Sequence, residues 1–105
     1  MKTPHLTAIA ILSPFLLHAQ NDSIHFVQGS MSEALALAKQ LNKPVFVDAY
    51  TTWCGPCKWM EKNVYRNDTA AGYYNQNFIC IKMDMETGEG PVLAKKYAVK
   101  NYPTF

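Results

Sequence analysis

The sequence predicts an α/β fold in which helices pack against a sheet of parallel strands. Two apolar segments, VFVDAY at residues 45–50 and NFICIKMDME at residues 77–86, have the composition and length of strands. Helix-like segments precede, separate and follow them. Because a parallel connection has to cross back over the sheet, this alternation is typical of α/β sandwiches.

The first elements are a short strand, expected around residues 24–27, and a helix that begins at Ser30. Ser30 can cap the helix, and Glu33 stands at the spacing of a capping box. Apolar residues recur at helical spacing: Met31, Ala34, Leu35, Ala38 and Leu41. The helix should end near Asn42, because Pro44 disfavours helical geometry at the residue before it. The following segment, PVFVDAY, predicts a strand buried on both faces.

A second helix is expected over residues 54–66, with Trp59, Met60 and Val64 on its buried side. Pro56 would lie in the first turn, where the missing N–H carries no penalty. Residues 67–69 indicate a break and a new cap, followed by a shorter helix through Tyr74.

The alternation in the second long strand places two sets of residues on opposite faces: Phe78, Cys80, Lys82 and Asp84 on one, and Ile79, Ile81 and Met83 on the other. A polar loop at residues 86–90 follows, and Pro91 suits the first turn of a last helix. Residues 101–105 begin another extended segment.

The first nineteen residues have the features of a secretory signal peptide. Lys2 supplies positive charge, residues 6–17 are almost wholly apolar, and Ala19 suits signal-peptidase cleavage. We therefore expect a signal peptide at residues 1–19 and one domain at residues 20–105. A membrane anchor is the alternative, but the apolar run is shorter than the roughly 20 residues that span a bilayer. The protein should be exported to the periplasm or secreted, without stable membrane insertion after cleavage.

The net charge and the number of cysteines limit the classes of function that the sequence allows. Removing Lys2 with the first nineteen residues leaves nine basic and eight acidic side chains, which gives no reason to expect nucleic acid as a partner. Three cysteines are an awkward number for a disulfide scaffold in an exported protein. A CxxC pair with an isolated Cys80 instead indicates redox chemistry beside a buried small thiol.

The segment TTWCGPCKWM places Cys54 and Cys57 at the start of the second predicted helix. Unpaired N–H groups and the helix dipole at that position stabilise an anion, which favours the Cys54 thiolate at neutral pH. Cys57 lies one turn further, where its sulfur can reach that of Cys54 but is less accessible to solvent. Cys54 would then attack a partner disulfide and Cys57 would resolve the mixed disulfide.

Two other uses of the pair are less favoured by the sequence. If the pair formed an inert local disulfide, the three-residue loop that it closes would stabilise the fold little. A structural zinc site needs four ligands, and the further candidates Cys80 and His25 lie on separate elements without pair spacing. We therefore expect redox chemistry, with no metal and no added cofactor.

Two segments together resemble the thioredoxin superfamily. VFVDAYTTWCGPCK at residues 45–58 is similar to its central strand and active-site helix, and YAVKNYPTF at residues 97–105 is similar to the loop that carries its cis-proline. The resemblance implies a thioredoxin-like three-layer sandwich with a central mixed sheet. Because the family's last two strands and final helix do not follow Phe105, the fold is expected to be incomplete at the C-terminus and the sequence to be a fragment.

The resemblance also implies roles for individual residues. Cys54 matches the attacking cysteine and Cys57 the resolving cysteine. The implied substrate-binding residues are Trp53, Gly55, Pro56, Tyr102 and Pro103. Pro103 would be the cis-proline that faces the disulfide, which leaves the backbone of Tyr102 free to pair with an extended substrate.

Asp48 is the candidate proton acceptor, because it stands in an otherwise apolar strand six residues before Cys54. Burial raises the pKa of a carboxyl group, so Asp48 could take and return the proton of Cys57. Where the family commonly has a lysine opposite this aspartate, alignment on Asp84 places Cys80, and Asp48 is expected to lack a charge partner. The loop at residues 85–90, longer than in thioredoxin, is expected to lie away from the sulfur pair.

These observations predict a monomeric thiol–disulfide oxidoreductase that exchanges disulfides with protein substrates. The Gly-Pro dipeptide favours the reducing direction by resemblance, and export then requires an upstream electron donor, expected to be embedded in the membrane. The alternative is a thioredoxin-fold peptide-binding or folding-helper module in which turnover is not essential.

Overall fold

The computed structural model describes residues 1–5, 7–11, 13, 14 and 23–105. Its helices and strands, in chain order, are α1 Met31–Leu41, β1 Val45–Tyr50, α2 Gly55–Asn63, α3 Asp68–Asn77, β2 Ile79–Asp84 and α4 Gly90–Lys96. The predicted cleavage site at Ala19 lies outside the described residues. Within the described ranges, no helix combines the length and apolar character needed to cross a membrane.

The sheet is built around β1 and β2, which pair in parallel from Val45 opposite Ile79 to Tyr50 opposite Asp84. Thr104 adds an antiparallel bridge to Ala49, so the sheet is mixed, as the resemblance implies. On the other side of β2, Phe26 forms a single parallel bridge.

The strand expected around residues 24–27 is therefore reduced to that one bridge. The amide of Val27 donates to the carbonyl of Cys80 on β2, at 2.8 Å. The amide of Ile24 donates instead to the carbonyl of Tyr65, and the amide of His25 to the side chain of Asn75. Because the amides of Ile24 and His25 are bonded to residues on one face of the sheet, they are not available to β2. The pairing with β2 therefore stops at a single bridge.

Helices cover the sheet on both faces, which gives the predicted three-layer sandwich. On one face, α1 packs against alternate strand residues to form a cluster that includes Met31, Ala34, Ala38, Ala49, Ile79, Ile81 and Met83. On the other face, α3 and the end of α2 form a second cluster around Ile24, Tyr65, Ala71 and Cys80, with Phe46 packed against it. β1 is less covered than predicted, since residues 45–47 are only half-buried.

The ends of α1 follow the sequence signals closely. The Ser30 hydroxyl accepts from the amide of Glu33 at 3.1 Å, and the Glu33 carboxylate accepts from the amide of Ser30 at 3.0 Å. Asn42 ends the helix in the left-handed conformation, with φ of 54°. α3 is longer than predicted and runs to Asn77, capped by the side chain of Asn67.

The predicted burial of Trp59 is wrong, because 60% of this residue is exposed. Cys57 is buried, and Met60 and Val64 pack against the cluster that contains Tyr65. These three residues follow the i, i+3, i+7 spacing of one helix face. Trp59 is two residues from Cys57, a rotation of about 200° around the axis, so its side chain leaves from the opposite face.

Candidate active site

The two cysteines lie where the chain leaves β1 and enters α2. Cys54 is the N-cap residue of α2, with an extended backbone conformation, and Cys57 lies in the first turn. Their Cα atoms are 5.3 Å apart and their sulfurs form a disulfide. Pro56 occupies the first turn as predicted, where its missing N–H removes no helical hydrogen bond.

A backbone donor at the start of α2 points toward the Cys54 sulfur. The amide of Cys57 donates to Cys54 Sγ across 3.1 Å. In the reduced protein, this N–H and the positive end of the helix dipole would stabilise a thiolate on Cys54 more than on an ordinary thiol. The local geometry therefore suits a nucleophilic sulfur at residue 54.

The expected difference in accessibility between the two cysteines is absent in the disulfide form. Cys54 is 3% exposed and Cys57 is 5% exposed. The neighbouring residues Trp53, Gly55 and Pro56 are exposed instead. These three residues therefore form the solvent-exposed surface next to the disulfide.

The loop that carries Pro103 lies beside this surface. The Tyr102–Pro103 peptide bond is cis, as the resemblance implies. Ala49 and Thr104 hold the loop to β1 by two backbone hydrogen bonds of 2.9 and 3.1 Å. The ring of Tyr102 meets that of Trp53 edge to face, with centroids 6.0 Å apart. The structure thus brings the predicted substrate-binding residues together around the disulfide.

The loop at residues 85–90 also reaches this surface, contrary to the sequence-based expectation. The indole Nε1 of Trp53 donates a hydrogen bond to the Glu86 carboxylate. The amide of Glu86 in turn donates to Asp84 Oδ1 at 2.9 Å. The extra residues of this loop therefore supply a hydrogen-bond acceptor that orients Trp53. The sequence pattern around either residue does not indicate this contact.

Asp48 is buried in the middle of β1, with 1% of its surface exposed. Its Oδ1 has no hydrogen-bond partner among the described residues. Burial raises the pKa of Asp48, while the nearby Tyr65 hydroxyl and the Lys82 charge lower it and the Glu61 charge raises it. A buried carboxyl group of this kind can hold and release a proton closer to neutral pH than an exposed aspartate.

The expectation that no lysine lies opposite Asp48 is wrong, although Asp48 forms no ion pair within the described residues. In the register of the sheet, Lys82 lies opposite Asp48, and Cys80 lies opposite Phe46. Cys80 and Lys82 are two residues apart and therefore share a face of β2, so the linear alignment on Asp84 selected the wrong one of the two. The ammonium of Lys82 also forms an ion pair with Glu61 of α2.

Tyr65 is a further candidate site residue, which the sequence motifs do not identify. It is buried, and its hydroxyl has no hydrogen-bond partner within the described residues. Burial and the neighbouring Asp48 both raise the pKa of Tyr65. A buried tyrosine hydroxyl usually requires a polar partner, which is the signal that could have linked it to Asp48.

Cys80 occupies the buried position predicted for it in the centre of β2. Burial raises the pKa of its thiol to about 11, against a smaller opposing effect of the Lys43 charge. A thiol with this pKa is largely protonated at neutral pH and a poor nucleophile. In the part of the chain that the structure describes, no three His, Cys, Asp or Glu side chains are grouped so that they could hold a metal ion.

Comparison with known proteins identifies the family. Residues 6–101 match the family model Thioredox_DsbH, described as a protein of unknown function, DUF255. The chain belongs to this thioredoxin-like family. A solved structure of a putative disulphide-isomerase from Bacteroides thetaiotaomicron is 50% identical and superposes with a TM-score of 0.70, covering 81% of this chain and 70% of that chain. The predicted superfamily and thioredoxin-like fold are therefore confirmed.

Two curated relatives of this thioredoxin-like chain carry functional names. Thioredoxin-1 of Drosophila melanogaster is 38% identical over 64 residues, which is 61% of this chain and 55% of the relative. The thiol:disulfide interchange protein DsbD of Vibrio vulnificus is 34% identical over 71 residues, which is 64% of this chain and 12% of the relative. The chain spans between 10% and 55% of the length of such curated relatives. Together with the Cys54–Cys57 pair, they support thiol–disulfide exchange as the chemistry of the site.

Proposed function

We propose that the protein is an exported thiol–disulfide oxidoreductase that reduces disulfides of protein substrates. The observation that carries the proposal is the position of Cys54, a helix N-cap whose sulfur accepts from the Cys57 amide at 3.1 Å. That arrangement favours a thiolate at residue 54 and places a second thiol within disulfide distance of it.

In the reduced protein, the Cys54 thiolate attacks one sulfur of a substrate disulfide. The substrate S–S bond breaks, a mixed disulfide forms, and the first substrate sulfur leaves as a thiolate that takes a proton from water. The Cys57 thiol then gives its proton to Asp48 and attacks the Cys54 sulfur. The second substrate sulfur leaves as a thiolate and is protonated as Asp48 gives up the proton it took. The substrate has then gained two electrons, and the cysteine pair is oxidised to the Cys54–Cys57 disulfide.

The surface around the disulfide supports binding of an extended substrate segment. The backbone N–H and C=O of Tyr102 form no hydrogen bond with the described residues. These groups can pair with the backbone of a substrate, as an exposed strand edge does. Trp53, Gly55, Pro56 and Pro103 would form the surrounding contact surface.

The reducing direction and the cellular setting are further parts of the proposal. A signal peptide at residues 1–19 would direct the domain at residues 20–105, acting as a monomer, to the periplasm or the medium. There, regeneration of the two thiols requires an electron donor, and a membrane-embedded thiol–disulfide reductase fits that role. The relationship to an interchange protein supports this assignment.

Reduction of insulin disulfides with dithiothreitol as the electron donor tests the proposal. Replacing Cys54 by Ser should abolish turnover, and Cys57→Ser should trap a mixed disulfide that a non-reducing gel reveals. Cys80→Ser is the matched control and should retain turnover, since its buried thiol takes no part. Wild-type rates in the Cys54→Ser protein would refute the proposal. If that variant still suppressed aggregation of an unfolded protein, the alternative peptide-binding function would be favoured.

A further inference from the structure

Trp59 is a large apolar side chain that the fold leaves exposed beside the redox pair. It lies on α2 two residues after Cys57, on the side of the helix that does not face the core, and 60% of it is exposed. Isolated exposed apolar residues are common, but a contiguous apolar surface next to a reactive centre indicates a binding site. Trp59 belongs to such a surface.

The surface is an open groove of about 520 Å³ lined by Gly55, Pro56, Trp59, Met60 and Pro103. Its volume is within the range of about 300–1,000 Å³ typical of ligand sites. Gly55 and Pro56 separate the two cysteines, and Pro103 carries the cis peptide bond beside them. The groove is therefore continuous with the surface that a substrate disulfide must approach.

Two lysines of α2 lie close to Trp59 in the sequence. Lys58 and Lys62 are both exposed and lie one turn apart on α2, on either side of Trp59 in the sequence. Within the described residues, neither lysine forms an ion pair, since Glu61 pairs with Lys82. An occupant that combines an apolar side chain with a nearby carboxylate would match both the apolar lining and these two lysines.

The geometry also limits which substrate residue can reach Trp59. Trp59 lies five positions after Cys54, which corresponds to about 7.5 Å of rise along the helix axis. Two residues of extended chain cover about 7 Å. The residue two positions from the attacked substrate cysteine is therefore at the right distance.

We propose that this groove selects protein substrates that carry an aromatic or long aliphatic residue two positions from the reacting cysteine, next to an acidic residue. The inference rests on the proposed disulfide reductase function and adds a sequence preference to it. Trp59 and Met60 contact the apolar side chain, and Lys58 and Lys62 attract the carboxylate. The groove takes no part in the bond exchange itself.

The test compares disulfide-linked peptide dimers that differ only in Phe or Ser two positions from the cysteine, each followed by Glu. The wild-type protein should show a kcat/KM about tenfold higher for the Phe peptide, the order expected for partial burial of one aromatic side chain. Trp59→Ala should reduce the preference to about twofold or less, whereas Trp59→Phe should keep most of it. Replacing the Glu of the Phe peptide by Gln should lower kcat/KM, and added salt should remove that difference.

Tyr97→Ala is the control variant, since Tyr97 is a comparably exposed aromatic residue at the end of α4. It should leave the preference unchanged. Alkylation of the reduced proteins by iodoacetamide, a small reagent with neither an aromatic ring nor a charge, measures Cys54 reactivity without the groove and should be equal in all variants. If the wild-type protein reduces neither peptide, the proposed function fails. If it reduces both peptides equally, or if Trp59→Ala keeps the preference, the groove inference alone is overturned. A concentration-dependent dimer that Trp59→Ala abolishes would also overturn it, by making a second copy the occupant.

Discussion

Replacing Asp48 by Asn should make the protein more stable and less active at neutral pH. The carboxyl group is 1% exposed, its Oδ1 lacks a partner among the described residues, and burial raises its pKa. Ionisation at this position therefore opposes folding, and a neutral amide of the same shape avoids that cost. Near pH 8 the free energy of unfolding should rise by about 1.4 kcal/mol for each unit by which folding raises the pKa of the carboxyl group.

The sign of the pH dependence follows from linkage. Because the folded protein binds the Asp48 proton more tightly than the unfolded chain, the wild-type protein loses stability as pH rises from the unfolded pKa through the higher folded pKa. The amide that replaces the carboxyl group in the Asp48→Asn variant cannot titrate, so the variant shows no such loss. Urea unfolding of the oxidised proteins should therefore give similar stabilities near pH 3.5 and a more stable variant near pH 8.

The same substitution removes the proposed acceptor for the Cys57 proton. General-base catalysis contributes about 10²–10⁴-fold, so insulin reduction by the variant should slow by about 10²-fold or more. The mixed disulfide should accumulate, because the resolving step is the one affected. Asp68→Asn, at an exposed position in the first turn of α3, is the control and should leave turnover unchanged. Equal stability of the Asp48→Asn and wild-type proteins near pH 8, or unchanged turnover, would refute the reasoning.

Three further substitutions test other contacts. Tyr65→Phe removes a hydroxyl that lowers the pKa of Asp48, so the acid limb of the turnover profile should move to higher pH; superimposable profiles would contradict this effect of Tyr65. Glu86→Ala removes the acceptor of the Trp53 indole and should raise KM for a protein substrate about twofold to tenfold, with kcat unchanged, as steady-state kinetics would show. Ser30→Ala breaks the capping box of α1 and should lower the free energy of unfolding by about 1 kcal/mol in urea titrations, without loss of activity.

The features that could be predicted from sequence depend on neighbours in the chain. The capping box at Ser30, the proline in the first turn of α2 and the N-cap position of Cys54 are set by residues within one helical turn. Local signals of this kind act whatever the rest of the fold does. They determine the position of the redox pair, which is the centre of the candidate site.

The features that could not be predicted depend on residues far apart in the chain. The hydrogen bond between Trp53 and Glu86 joins a turn to a loop 33 residues away. The pairing of residues 24–27 is limited by hydrogen bonds to Tyr65 and Asn75, which no strand pattern reveals. The exposure of Trp59 could have been found from the periodicity of α2, since it lies off the face defined by Cys57.

The register of the sheet connects the hydrophobic core to the chemistry of the site. Ile79, Ile81 and Met83 face α1, which places Lys82 on the opposite face, level with Asp48. A slip of β2 by one residue would turn Lys82 toward the apolar layer and leave Asp48 opposite an apolar side chain. Burying a lysine against α1 without a partner is strongly unfavourable, so the core excludes the slip. The alternation that stabilises the fold therefore also determines which charge lies closest to the carboxyl group that accepts the Cys57 proton in the proposed reaction.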